Sequence, residues 1–130
     1  MGKIQINPWR WQDAYGFSQA WKVDGAHSLI FVSGQASISP EGTVMHQGDF
    51  RAQTRLAFEN LNTILKEAGA SLDDIVKVGV YLIDMGNLPD YGAVQAEFFL
   101  GPMPAQTVVQ VNSLALPGMM IEVEAVAVGK

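Results

Sequence analysis

The chain contains no cysteine. That absence excludes disulfides, a thiol nucleophile and any zinc site built on thiolates, and it suits a reducing compartment without requiring one. Cations are scarce too, with eight Lys and Arg against thirteen Asp and Glu and a net charge of −5. Phosphate neutralisation needs clustered cations, so no nucleic-acid partner is expected. Histidine is limited to His27 and His46, without neighbouring ligand patterns, and no metal site is expected. No run approaches the ~20 apolar residues of a membrane span. The opening Met-Gly-Lys-Ile-Gln-Ile-Asn-Pro lacks an apolar core of signal-peptide length. A soluble, cytoplasmic protein with no membrane partner is the expectation. Also missing are G-x-S-x-G, a Walker loop, H-E-x-x-H and a calcium loop, which removes the common hydrolase, nucleotide-binding and metalloprotease signatures.

What is present is apolar and aromatic. With 130 residues, 48% hydrophobic and 16% charged, the chain reads as one globular domain over residues 1–130. A domain this size buries roughly two thirds of its unfolded surface. An enclosed ligand cavity would compete with that core for volume, and a site between subunits avoids the conflict. All three tryptophans, Trp9, Trp11 and Trp21, fall early, interleaved with Tyr15 and Phe17. They read either as caps on the open end of the core or as a ligand-stacking or subunit-contact surface.

Ala20–Asp24 and Ser28–Val32 read as a hairpin turned at Asp24-Gly25. Leu29-Ile30-Phe31-Val32 is continuously apolar, which predicts a central strand covered on both faces. Residues 37–48 read as loop. Asp49 is placed to cap a helix ending before Gly69, about 28 Å long, with Ala57, Phe58, Leu61, Ile64, Leu65 and Ala68 on its apolar stripe. Arg51, Arg55, Glu59, Lys66 and Glu67 form its solvated face. Ile75–Asp84 alternates as a strand, and a second helix runs from about Leu88 to Phe99, capped by Asn87, with Tyr91, Val94 and Phe98 on one stripe.

Two β-branched stretches follow, Pro104–Val111 and Met120–Val128, read as a hairpin around Pro117-Gly118. Glu122 and Glu124 are two apart and so share a strand face. The order is ββαβαββ, which predicts an α+β sandwich, a mostly antiparallel sheet with both helices on one face. The other face then needs cover, and self-association is the economical way to supply it. Glu122 or Glu124 is the candidate general acid-base group, with Ser33, Gln35, Gln106 and Gln110 as neutral hydrogen-bonders. The bland alternative for both carboxylates is an exposed strand face.

Several short motifs, in order, resemble those of the Rid (reactive intermediate deaminase, or YjgF) family over nearly the whole chain. Gly16-Phe17-Ser18-Gln19-Ala20 is similar to the family's G-P-Y-S-Q-A, and Ser33-Gly34-Gln35 matches S-G-Q. Gln53-Thr54 through Asn60-Leu61, Gly69–Asp74 and Val76-Lys77-Val78 follow the middle of the pattern, and Ala96-Glu97-Phe98-Phe99 follows its second helix. Pro104-Ala105-Gln106 stands where members carry P-A-R, and Ile121-Glu122-Val123-Glu124 resembles the closing E-I-E run. The resemblance implies a chorismate-mutase-like fold, a homotrimer with small-molecule clefts between subunits, and cofactor-independent hydrolysis of reactive imines and enamines such as 2-aminoacrylate. It also implies a substrate site drawing on Phe17, Ser33, Gly34, Gln35 and Gln106, with Glu122 as the catalytic carboxylate beside the attacking water.

The departures from the pattern bear on the substrate. The family arginine is Gln106, which donates hydrogen bonds but carries no charge and makes no guanidinium fork. Losing two charged hydrogen bonds of ~1.5–3 kcal/mol each costs on the order of a hundredfold in transition-state stabilisation. The tyrosine is Phe17, and Gly92 stands where many members have asparagine. The expectation is an imine or enamine deaminase whose substrate is not the usual small 2-imino acid. A non-catalytic metabolite-binding module is the alternative, and a ribonuclease or translation inhibitor is the least favoured reading.

Overall fold

A computed structural model of the chain describes residues 2–129. Strands β1 (Gly2–Ile6), β2 (Ala20–Asp24) and β3 (Ser28–Ala36) precede helix α1 (Phe50–Glu67). Strand β4 (Ile75–Leu82), helix α2 (Leu88–Phe98), β5 (Ala105–Gln110) and β6 (Ile121–Gly129) complete the order. The main sheet runs β3-β6-β4-β5, and β1 and β2 form a separate two-stranded ribbon. β6 is antiparallel to both β3 and β4, and β4 is parallel to β5. The expected α+β architecture, with a mostly antiparallel sheet and two helices on one face, is thus the observed one, extended by β1.

The core lies between helices and sheet. On β6 the odd-numbered Ile121, Val123, Ala125 and Ala127 are buried, as are Val78, Val80 and Leu82 of β4. They meet Ala57, Phe58, Leu61 and Leu65 of α1 and Tyr91 and Val94 of α2. Phe58 is fully buried, and its ring lies 5.2 Å from that of Phe98 and 5.5 Å from that of Phe99. Asp49 accepts a hydrogen bond from the Ala52 amide, the expected cap. Ile64 and Ala68, placed on the stripe by spacing, are exposed. Asn87 makes no side-chain cap; Asp84, one short 3₁₀ turn earlier, accepts from Gly86 instead. Arg51 and Arg55 cross to Asp90 and Glu97 and tie the two helices together.

Three expectations about strand pairing are corrected. β2 pairs with β1 rather than β3. Its neighbourhood is pinned near the start of β5, where Trp21 Nε1 donates to the Met103 carbonyl at 3.0 Å and the Ser18 amide to that of Pro104 at 3.0 Å. β3 lies at the opposite edge of the sheet, so the chain crosses from one sheet to the other instead of turning back. β5 and β6 form no hairpin either, because β4 lies between them. The connection through residues 111–120 is long enough to step over one strand, a lateral move of roughly 10 Å. Finally, β3 is an edge strand, and its Phe31 is 74% exposed. Its unbroken apolar run reflects a sheet face that a single chain leaves open.

Among the described residues no helix is long and apolar enough to cross a membrane.

Candidate functional site

The sheet separates the predicted site residues. Gln106 is in register with Val78, and Val108 with Val80, so both belong to the face that packs under the helices. Glu122 and Glu124 alternate with buried Ile121, Val123 and Ala125 and point to the opposite, open face. Within one chain, Gln106 and Glu122 therefore lie on opposite sides of the sheet.

On the helix side, Gln106 sits in a cleft of about 700 Å³. Trp11, Tyr15 and Phe17 supply one wall. The Trp11 and Phe17 rings meet edge to face at 5.7 Å, and Trp11 and Tyr15 at 6.3 Å. The start of α2, with Leu88, Pro89 and Gly92, supplies the other wall. The segment bearing the aromatics is held by buried amides: Gln95 Nε2 donates to the Gly16 carbonyl at 3.2 Å, and Gln19 Nε2 to Gln12 Oε1 at 3.2 Å. Ser18 Oγ donates to the Met103 carbonyl and closes the junction with β5. Tyr91, buried beneath the cleft, donates its hydroxyl to Gln106 Oε1 at 2.6 Å. Burial pushes the Tyr91 phenol far above its ordinary pKa, so it stays protonated and acts as donor. No charged side chain among the described residues lines this cleft.

On the open side, each glutamate of β6 lies against a glycine of a neighbouring strand. A Cβ at Gly34 would overlap the Glu122 carboxylate, and one at Gly79 would stand 3.0 Å from Glu124 Cγ. β3 is irregular at this point, its register with β6 shifting between Val32 and Gln35. The S-G-Q motif therefore makes room for Glu122. Ser33 borders a hollow of about 360 Å³ with Lys77, Tyr81, Thr107 and Glu124. Gln35 turns its amide toward the Ser33 carbonyl, 3.2 Å away, and with Gly34 borders a separate shallow depression beside α1. Tyr81 donates to Glu124 Oε1 at 2.8 Å, and that bond holds the Tyr81 phenol above its usual range.

Of the predicted set, Phe17 and Gln106 share the aromatic cleft, Glu122 and Gly34 touch on the far face near Ser33, and Gln35, in register with the buried Val123, lies apart beside α1. Trp11 lines the cleft and Trp9 does not. Tyr91 was legible only as a member of a helix stripe. The signal that could have singled it out is chemical, since a phenol on a buried stripe must find an acceptor. Gln53 and Asn60, part of the motif pattern, are structural. Gln53 bonds the Met45 and Gly118 carbonyls and the Met120 amide, and Asn60 the Ala36 and Ile38 carbonyls.

The family model described as Endoribonuclease L-PSP matches residues 10–129. A solved structure from Yersinia pestis, described as a protein of unknown function of the conserved Rid family, is 31% identical. It superposes with a TM-score of 0.88 over 98% of this chain and 99% of that one. The chain belongs to the Rid family. A RutC family protein of Pyrococcus abyssi is 43% identical to this Rid chain over 111 residues, 85% of this chain and 84% of the relative. Yeast Mmf1 is 35% identical, with a TM-score of 0.74 over 97% of this Rid chain and 94% of its own.

Proposed function

We propose that this one-domain Rid protein acts without a cofactor at a small-molecule cleft between the subunits of a homotrimer, hydrolysing an imine or enamine other than the small 2-imino acids. The observation that carries the reading is the neutral Gln106, fixed by Tyr91 in a cleft that no described cation lines. A substrate held there by its carboxylate would be desolvated without a counter-charge, which is costly. The opposite placement of Gln106 and Glu122 supports the intersubunit part, because the two can meet only when one chain's open face lies against another chain's cleft. In the reaction, Glu122 takes a proton from water as its oxygen adds to the C=N carbon and returns it to nitrogen. The adduct then collapses to a carbonyl compound and ammonia.

The second reading is a metabolite-binding module without catalysis. It is favoured by the fact that no carboxylate among the described residues of the same chain lines the cleft. The ribonuclease activity in the family model's description draws no support from the charge balance, and Arg51 and Arg55 are engaged in ion pairs. Ammonia release decides between the first two. We expect 2-iminopropionate turnover about a hundredfold or more below that of an arginine-bearing homologue, with measurable ammonia release from a panel of neutral N–H imines, ring compounds with an exocyclic C=NH included, that Glu122→Gln abolishes. Turnover of 2-iminopropionate at the homologue's rate refutes the substrate assignment. Saturable thermal stabilisation by panel compounds without ammonia supports the binding module.

A further inference from the structure

We infer that the ligand of the Gln106 cleft is a flat, ring-bearing molecule presenting a neutral hydrogen-bond acceptor of the lactam-carbonyl type, and that Tyr91 is the positioning residue that sets this preference. The inference rests on reading this cleft as the binding site and names the class of molecule it takes.

The hydrogen bonding sets the polarity. Tyr91 is 1% exposed, and a buried phenol that keeps its proton must donate it. Gln106 Oε1 receives it at 2.6 Å. That bond occupies the carbonyl end of the Gln106 amide and leaves Nε2, which only donates, for anything entering the cleft. A carbonyl oxygen or ring nitrogen satisfies one neutral N–H, whereas a carboxylate would surrender its hydration for a single uncharged bond.

The shape of the cleft selects a ring. Trp11, Tyr15 and Phe17 pack edge to face on one another, with centroids 5.7 and 6.3 Å apart, and together form an aromatic wall against which a ring can stack. Phe17 adds no hydroxyl that would compete for polar groups. Gly92 widens the facing wall: a Cβ there would meet nothing within 4 Å, so packing does not demand glycine, and its small size leaves space in the cleft. About 700 Å³ lies within the usual range of small-molecule sites.

A matched set of bicyclic probes tests the assignment on the intact protein: 2-quinolinone as the neutral acceptor, 2-naphthoate as the carboxylate and naphthalene as the bare ring. Binding is read by tryptophan fluorescence and by the Gln106 side-chain NH₂ resonances, identified by their loss in Gln106→Leu. We expect 2-quinolinone to bind at least about tenfold more tightly than 2-naphthoate and to move the Gln106 resonances. Tyr91→Phe keeps the ring and frees the amide to turn, so the ratio should collapse while naphthalene affinity holds. Gln106→Arg should invert the order, and it decides alone should Tyr91→Phe not fold. The assignment is overturned if none of the probes binds, if 2-naphthoate matches 2-quinolinone on the unaltered protein, or if neither variant changes the ratio. Ammonia is not read here. Acceptor preference without turnover would remove the deaminase reading and keep this one, and turnover without acceptor preference would do the reverse.

Discussion

The two faces of the main sheet are built from the same strands yet differ in kind. Under the helices, β4 and β6 present Val78, Val80, Leu82, Ile121 and Val123 to a sealed apolar core. On the other side the same strands present Lys77, Tyr81, Glu122 and Glu124, with Phe31 and Leu29 of β3 beside them, open to solvent in a single chain. Phe58 and Phe31 make the contrast concrete: one is fully buried, the other three-quarters exposed. The covered face is the chain's own business, whereas the open one mixes large apolar groups with carboxylates, as expected of a surface that meets a partner and helps form a site.

The sharpest way to break this comparison is to substitute both phenylalanines. Phe58→Ala removes a ring packed against three others and should cost about 3–5 kcal/mol of unfolding free energy in chemical denaturation. Phe31→Glu should leave the circular dichroism spectrum intact and shift sedimentation velocity to single chains. An assembly that survives Phe31→Glu would mean that the open face is not covered by a second copy. The next effect in size separates the two glycines. Gly34→Ala forces the half-buried Glu122 carboxylate into another rotamer and should cost about 0.5–1.5 kcal/mol, whereas Gly79→Ala meets only a tight contact with Glu124 Cγ and should cost less. Equal costs would show that Glu122 is not held by its glycine.

The smallest effect lies on the outer side of the helices. Arg55 meets Glu97 with two bonds of 3.0 Å, and that partner holds the Glu97 carboxyl below its usual pKa. A depressed folded pKa contributes stability above the ordinary glutamate range and loses it as pH falls through the lowered value. The melting temperature of Glu97→Gln should therefore fall slightly below that of the unaltered protein near about pH 7 and converge with it as pH falls through that lowered value. A gap that persists in acid would assign the difference to packing.

The elements were legible where periodicity or punctuation is strong. Asp49 to Glu67, the alternation of β4 and the shared face of Glu122 and Glu124 all follow from side-chain spacing, which is a local property. Partnering was not legible in the same way. Asp24-Gly25 reads as a hairpin turn, but Trp21 and Ser18 are held near Met103 and Pro104, some eighty residues away. Local chemistry cannot register such a tie. Motif resemblance located Phe17, Gln106, Gly34 and Glu122, yet it could not divide them between two faces, because that division follows from strand order. Tyr91 stayed hidden for a related reason: its hydroxyl acquires meaning only once β5 brings Gln106 beneath α2.

The central position of β6 has a consequence for how the protein is made. β3 and β4 never touch as neighbours in the sheet; each waits for Ile121–Gly129 to arrive between them. While a ribosome is still adding those residues, β4 and β5 can pair and the helices can form. β3, with its row of apolar side chains, has no partner strand in the main sheet. The main sheet therefore closes only once β6 has been made, and until then the nascent chain depends most on being shielded from its own copies.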